Sequence, residues 1–477
     1  MTDEQRHDWL GYSSSEHFET PNIDWLAKTG VRFDQAYSSS TTCQPARTAL
    51  LTGLHHHRSP RQEGSLALRE GAWTVARELQ AAGYETALIG RMHLSPIHAD
   101  HGFETMRMCE IVNPGSGYGR EERDDYGLWL DGLERQDWRE VQPDGDGGLL
   151  PAYAGSPRTF PDFRRYHPTQ WIEQETMSFL ERRDHDRPLF LIVSFPHPHA
   201  PFDPPYPYAS MFSPDESVLP IDGFEANRLL TGGLAEDVAG VSAVFRVDQR
   251  EPDALPRILA SIRGLVKQID DSIGSILDGL DMESSLIFFT SDHGDYGGHR
   301  GLLTKVPWIP FDDLIRVPFL VSGGALAGSP LVSQALVQNS SFAATCLDYA
   351  GVSVPGDAFD FPSLRPVLEG TEDADEDRAV FSSFSMGYPM VRRGRFKLIA
   401  TMKTEVNLFD LERDPGETVS VADDPAYAGI ADELLALIER EYATRPASMV
   451  FGPTMVCPDV APARQQMEAN VSGETAR

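Results

Sequence analysis

Basic residues are scarce in this chain: 41 lysines and arginines stand against 72 aspartates and glutamates, a formal net charge of −31 over 477 residues. Such a surface repels polyanions over most of its area, which argues against nucleic acid or an anionic membrane as a partner. Any anionic substrate must then meet a local basic pocket. Long apolar runs are absent too; none reaches the roughly eighteen residues of a membrane span. The opening Met1-Thr2-Asp3-Glu4-Gln5-Arg6-His7-Asp8 has no secretory signal's apolar core, so a cytoplasmic enzyme is the expectation. Cysteine is rare, and Cys43, Cys109, Cys346 and Cys457 form no C-x-x-C pair, which argues against a disulfide framework or a zinc knuckle. Cys109, Cys346 and Cys457 read as small buried hydrophobes. No internal repeat is visible.

Short apolar runs alternate with helical patterns. Thr86-Ala87-Leu88-Ile89, Pro188 to Phe195, Leu286 to Thr290 and Val317 to Val321 suit strands buried on both faces. Helices are expected near 21–30, 45–53, 73–82, 168–184, 256–280 and 340–350. That order predicts an α/β fold with a mainly parallel central sheet flanked by helices. After the acidic stretch 371–377 the texture changes to short strands near 379–384, 389–392 and 396–401 and a helix near 426–443, a smaller C-terminal α+β subdomain. The expected division is 1–375 for the catalytic unit, 376–450 for the subdomain and 451–477 for a tail.

Three polar segments follow predicted strands: Gly90-Arg91-Met92-His93, Pro196-His197-Pro198-His199 and Ser291-Asp292-His293-Gly294-Asp295. The carboxyl ends of strands in an open parallel sheet line the ligand crevice, so these segments should converge. In Cys43-Gln44-Pro45-Ala46-Arg47-Thr48-Ala49-Leu50-Leu51-Thr52-Gly53, the proline suits a first helical turn and Gly53 an end. Cys43 would sit at the positive end of a helix dipole, where a thiolate or another anion bonded to it is stabilised. Arg47, one turn behind, could return its guanidinium to the same anion. His55-His56-His57 reads as a solvated or substrate-mouth loop.

The C-x-P-x-R segment followed by L-L-T-G resembles the motif that sulfatases present for conversion of cysteine to formylglycine. Supporting segments are Thr20 to Ala27, Gly90 to Leu94, Ser194 to Phe202, Thr290 to Asp295, Arg393 to Leu398 and Asn407 to Leu411, so the resemblance covers roughly residues 2–412. It implies an alkaline phosphatase-like α/β fold, a formylglycine made from Cys43 by a sulfatase-maturing enzyme, and a divalent metal. Asp3, Glu4, Cys43, Asp292 and His293 are the implied metal ligands, with Glu4 where relatives usually carry aspartate. Oxygen ligands favour calcium, with magnesium or manganese open. Arg47, Arg91, His199 and Lys305 are the implied sulfate-binding groups, Arg91 standing where many sulfatases carry lysine. Cys43, Arg47, His93, His199 and Lys305 are the implied catalytic set. His199 and Lys305 act on the departing oxygen, Asp292 helps activate the attacking hydroxyl, and His93 takes the proton of the second hydroxyl. His199 rather than His197 falls at the family's P-H-x-P-F position.

Relatives carry an apolar strand before the acidic pair, yet here the pair begins at the third residue. A central strand is therefore expected to be missing, through a start codon placed too late, and its absence to loosen the metal site. The same-superfamily rival is a phosphonate monoesterase or phosphodiesterase, against which Arg91 and His93 argue. A second rival is an inactive binding homologue. Arg91 to Pro96 with His101 to Glu104 resembles choline sulfatases and their bacterial relatives. With the acidic surface, this points to a small-molecule sulfate ester rather than a sulfated polymer. A homo-oligomer is left open.

Overall fold

A computed structural model describes residues 1–443, apart from 15–16, 61–67, 95–96, 111–123, 133–163, 217–226, 228–229, 231, 327–330, 354–357, 372–376, 385–386 and 402–404. Cys457, most of the segment 109–160 and the tail expected at 451–477 lie outside the described residues. None of the described helices is long and apolar enough to cross a membrane.

The core strands are β1 (Val31–Tyr37), β2 (Glu85–Gly90), β3 (Thr105–Met108), β4 (Leu189–Ser194), β5 (Leu286–Thr290), β6 (Phe319–Gly323) and β7 (Leu331–Gln338). They form a parallel sheet β3-β2-β4 and a mixed sheet β5-β6-β1-β7, in which β1 and β7 are parallel while β6 opposes β5 and β1. The expected mainly parallel arrangement is found, with β6 the one described core strand that opposes both of its neighbours. Residues 291–318 leave β5 and re-enter β6 at the same edge, so β6 must run backwards, and an apolar run carries no sign of direction.

Residues 1–3 stand between the two sheets. The Met1 amine donates to the Val193 carbonyl (2.7 Å), and Thr2 N–H donates to Thr290 O (3.0 Å). Asp3 N–H donates to His197 O (3.4 Å) and His199 N–H to Asp3 O (3.1 Å). Burial lowers the Met1 amine to a pKa of about 5. Where a loosened site is expected without a long central strand, this three-residue segment pairs on both sides and buries Asp3 completely.

Helices α1 (Pro21–Thr29), α2 (Cys43–Thr52), α3 (Val75–Ala81), α4 (Pro168–Arg182), α5 (Ala254–Asp278) and α6 (Phe342–Tyr349) fall where their patterns place them. The Asp270 carboxylate of α5 accepts the first-turn N–H groups of Asn22 and Ile23, supplying the cap that α1 lacks at Thr20.

The C-terminal strands β8 (Ala379–Phe384), β9 (Gly387–Arg393), β10 (Phe396–Ala400) and β11 (Val406–Asp410) form an antiparallel sheet. Helix α7 (Ala428–Ala443) lays Ala431, Leu434, Leu435 and Ile438 on Val391, Leu398 and Leu408 of that sheet.

His55, His56 and His57 are buried, which corrects the expectation of a solvated or mouth-lining loop. The three rings fill the seam between the end of α2 and the C-terminal unit, where their planar faces pack. His55 lies edge-on to Phe361 (4.5 Å) and His57 against Tyr442 (4.6 Å). Glu441 of α7 receives His55 Nε2 (3.5 Å), His57 Nε2 (3.4 Å) and Arg58 Nη2 (2.9 Å), while Arg58 also pairs with Asp360. His56 Nε2 meets Ser383 Oγ at 3.2 Å.

Burial lowers His55 from 6.5 to about 3. Burial would raise Glu441, but its bond to His57 and the charge of Arg58 prevail and bring it from 4.5 to about 2. The unfolded seam thus takes up protons that the folded seam refuses, so docking stability is lost as pH falls from about 6.5 toward 2. Hydrogen-exchange protection of residues 428–443, relative to the intrinsic rate at each pH, is expected to fall across that range, and His55→Phe, which keeps the ring but not the titration, to move the onset to lower pH. An onset unchanged by His55→Phe would contradict this account of the seam.

Candidate active site

Cys43 opens α2 after the loop Ser38–Thr42, and Gly53 ends the helix at φ 63°, as Pro45 and Gly53 predict. Ser38 ties that loop down by donating from Oγ to Asp292 O (2.5 Å). Cys43 Sγ lies 3.1 Å from His293 Nε2, 3.5 Å from Lys305 Nζ and 3.6 Å from Asp3 Oδ1. Burial, and then the Asp3 carboxylate, push the thiol well above its ordinary pKa, although Lys305 pulls the other way. Both act against the thiolate that the helix N-terminus favours.

Behind the sulfur, Arg47 is fully buried. Its Nε donates to Asp292 Oδ2 (2.8 Å) and its Nη2 to Asp3 Oδ2 (3.0 Å). Its Nη1 donates to Arg91 O (2.5 Å) and Ser194 Oγ (3.0 Å). The guanidinium therefore holds the two carboxylates in place from the side opposite Cys43. Arg91 adds a second cation, Nη1 lying 3.0 Å from Asp3 Oδ2. Burial favours the protonated form of Asp3, but Arg91 and Arg47 overcome it and hold the carboxyl well below its usual range.

Asp292 Oδ1 accepts the N–H groups of Glu4 (3.0 Å) and His293 (2.8 Å). His293 Nδ1 donates to Gly294 O (2.8 Å), which leaves the lone pair of Nε2 facing the cluster. His199 repeats the pattern, with Nδ1 donating to Ala200 O (2.6 Å) and Nε2 standing 3.2 Å from Glu4 Oε2. Glu4 Oε2 also accepts Lys305 Nζ at 3.0 Å. Burial drives the Glu4 carboxyl up to about 7 despite Lys305, and Asp295 up to about 6 by the same cause.

The three segments expected to converge do so, and Asp3, Glu4, Cys43, Arg47, Arg91, His199, Asp292, His293 and Lys305 are all buried around one point. His93, half-buried, reaches the group through Arg91, whose Nη2 is 3.2 Å from His93 Nδ1. His197 faces elsewhere, its ring stacked on His167 (4.6 Å) and its Nε2 3.6 Å from Asp203. Sequence reasoning missed Glu110 and gave Ser194 and Asp295 no role beyond their segments. Glu110 Oε1 accepts the N–H groups of Met92 (2.8 Å) and His93 (2.6 Å) and so fixes the loop that carries Arg91 and His93. No sequence signal marks Glu110, whose partners lie 17 and 18 residues away in the chain.

A metal fits this donor set. Ligand atoms of Asp3, Cys43, Asp292 and His293 lie within 4.8 Å of one another, as do those of Asp3, Glu4 and His199. Glu4 Oε1 is buried without a hydrogen-bond donor among the described residues. An orphaned carboxylate oxygen beside two further carboxylates is what a hard divalent cation neutralises.

Carboxylates and basic groups gathered around residue 43 suit hydrolysis of an ester of a tetrahedral oxyanion. The sulfatase family model matches residues 1–352, and the chain belongs to that family, whose members hydrolyse sulfate esters. A second model, described as N-sulphoglucosamine sulphohydrolase, C-terminal, matches residues 308–443. The chain is 29% identical to an arylsulfatase of Clostridium perfringens over 475 residues, covering 95% of each chain. It is 27% identical to a choline-sulfatase of Rhizobium meliloti, over 86% of this chain and 79% of that one. Its fold is similar to the phosphonate monoester hydrolase of Agrobacterium radiobacter, with TM-score 0.74, 23% identity and coverage of 92% and 94%; at that identity the likeness shows the fold alone.

Proposed function

We propose that the chain hydrolyses a small sulfate ester with a formylglycine made from Cys43 by a sulfatase-maturing enzyme, beside a calcium ion held by Asp3, Glu4, Asp292, His293 and residue 43. The observation that carries this reading is that the ligand atoms of Asp3, Cys43, Asp292 and His293 lie within 4.8 Å of one another, with Lys305 Nζ 3.5 Å from Cys43 Sγ. A hydrated formylglycine supplies a nucleophilic hydroxyl that a buried thiol with a raised pKa does not, and the cation polarises the sulfate oxygens.

The remaining work falls to side chains of the chain itself. Arg91 and Lys305 present charge to the sulfate oxygens within a strongly acidic protein, which sets the pocket apart from the surface. Arg47 positions Asp3 and Asp292 and has its guanidinium committed to them. His199 Nε2 and Lys305 Nζ, both on Glu4 Oε2, stand where a proton or a positive charge can meet the departing alcohol oxygen. His93, oriented by Arg91 and Glu110, is the group proposed to accept a proton when sulfate is released.

The activity test is a panel run on matured protein: aryl sulfate, choline sulfate, a sulfated tetrasaccharide and a phosphonate monoester. The expected result is the highest kcat/KM on a small monosulfate at low salt, because a sulfated polymer meets an acidic surface outside the pocket. Faster cleavage of the tetrasaccharide, or of the phosphonate, than of every small sulfate would overturn the reading.

A further inference from the structure

Trp308 and Phe384 stand out once the residues that hold the sulfate group are accounted for. The two rings stack with centroids 5.0 Å apart and planes 14° from parallel, one from the loop after Lys305 and the other from the end of β8. Both are partly exposed.

Their anchors lead directly to the reaction centre. Trp308 N–H donates to Lys305 O (2.7 Å), so the indole rides on the same tight turn as the lysine whose Nζ is 3.5 Å from Cys43 Sγ. Phe384 follows Ser383, whose N–H donates to Ser39 O (3.2 Å) in the loop that delivers Cys43. The aromatic pair therefore spans two segments that flank the nucleophile, and it joins the catalytic unit to the C-terminal sheet at that place.

Backbone strain points the same way. Trp308 has φ 66°, a left-handed conformation that a bulky aromatic residue rarely adopts. Glu4 (φ 63°) and His93 (φ 58°) of the site and Thr304 (φ 60°), which precedes Lys305, share it, as do His101, Arg300, Tyr388 and Glu417 elsewhere. Strained residues persist where the surroundings over-determine them, and they gather at ligand clamps. A partly exposed indole in such a conformation gains little for the core.

We propose that Trp308, backed by Phe384, is the platform on which the leaving alcohol stacks, and that the preferred alcohol carries a flat aromatic ring. This rests on the sulfatase reading and adds what the sulfate-binding residues leave open, since they touch only the sulfate. One face of the indole is taken by Phe384, and the proposal puts the leaving ring on the other, in offset stacking. Stacking is alike in the ground state and the transition state, so it acts on KM rather than on kcat.

The test compares matured wild type, Trp308→Phe and Trp308→Leu on 4-nitrophenyl sulfate and choline sulfate. Trp308→Leu is expected to raise KM for the aryl ester roughly three- to thirty-fold, to lower the aryl-to-choline ratio of kcat/KM by the same factor, and to leave kcat for the aryl ester within about twofold. Trp308→Phe should restore most of the ratio. Equal losses on both esters, a larger loss on choline sulfate, or a fall in kcat alone would overturn the platform. Calorimetric binding of 4-nitrophenyl sulfate to Cys43→Ala, with and without Trp308→Leu, gives a readout independent of turnover. Weaker binding in the double variant supports the platform even if wild type hydrolyses no sulfate, a result that would sink the functional reading alone; unchanged binding overturns the platform whatever the activity.

Discussion

Cys43→Ala is expected to lower kcat/KM for every sulfate ester by about four orders of magnitude or more, because the nucleophile is lost while the binding groups remain. The fold should survive. The Cys43 side chain lies in the pocket among polar groups, and neighbouring Thr42 and Gln44 are partly exposed, so the truncation opens no apolar cavity. Thermal unfolding within a few degrees of wild type, with activity gone, is the expected pair of readings. Activity within tenfold of wild type in this variant would remove residue 43 from the chemistry.

Asp292→Asn carries the second large effect. Asp292 accepts two backbone N–H groups on one oxygen and Arg47 on the other, and it is completely buried. An amide can turn its oxygen to one side only. Its NH2 must then face either the N–H groups of Glu4 and His293 or the guanidinium of Arg47. Breaking a buried pair in this way costs about 3–5 kcal/mol, and weakened metal binding should add a loss of at least 10²-fold in kcat/KM, as supporting groups alone contribute about 10–100-fold. Calcium is expected to raise the melting temperature of wild type and to do so less in the variant, since a ligand that binds only the native state stabilises it by mass action. Chelation should abolish turnover, with calcium restoring it better than zinc. Normal turnover by exhaustively metal-free enzyme would contradict the assignment.

Where sequence reading succeeded, local chemistry had announced itself. Pro45 and Gly53 mark the ends of α2, and the runs that became β2, β4 and β5 each hand over to a polar segment at their carboxyl ends, so their convergence followed from topology. β1 was missed because Arg32, Asp34 and Gln35 interrupt its apolar pattern; in the fold Arg32 Nε pairs with Asp34 at 2.7 Å and Gln35 reaches Gln334 at 3.2 Å. β7 was missed for a similar reason, its first residues lying exposed at the sheet edge.

The site residues that escaped detection act only through tertiary neighbours. Glu110 has no motif and Ser194 only opens one, and their roles exist because β2 lies between β4 and β3. Arg47 has four partners in four distant segments, so no helical spacing could show that it faces the carboxylates. The histidine run misled for a related reason. Polarity read along the chain suggests solvent, whereas Glu441, 384 residues beyond His57, supplies the partner that allows burial.

The chemistry turns on whether Cys43 is the residue converted and whether conversion is what confers activity. Preparations with graded exposure to a formylglycine-generating enzyme would give both answers, with the converted fraction of the Cys43 peptide read by mass spectrometry and kcat measured on 4-nitrophenyl sulfate in the same samples. The predicted result is activity proportional to the converted fraction, on a line through the origin. Turnover at the full rate in a preparation whose Cys43 is entirely thiol would contradict it.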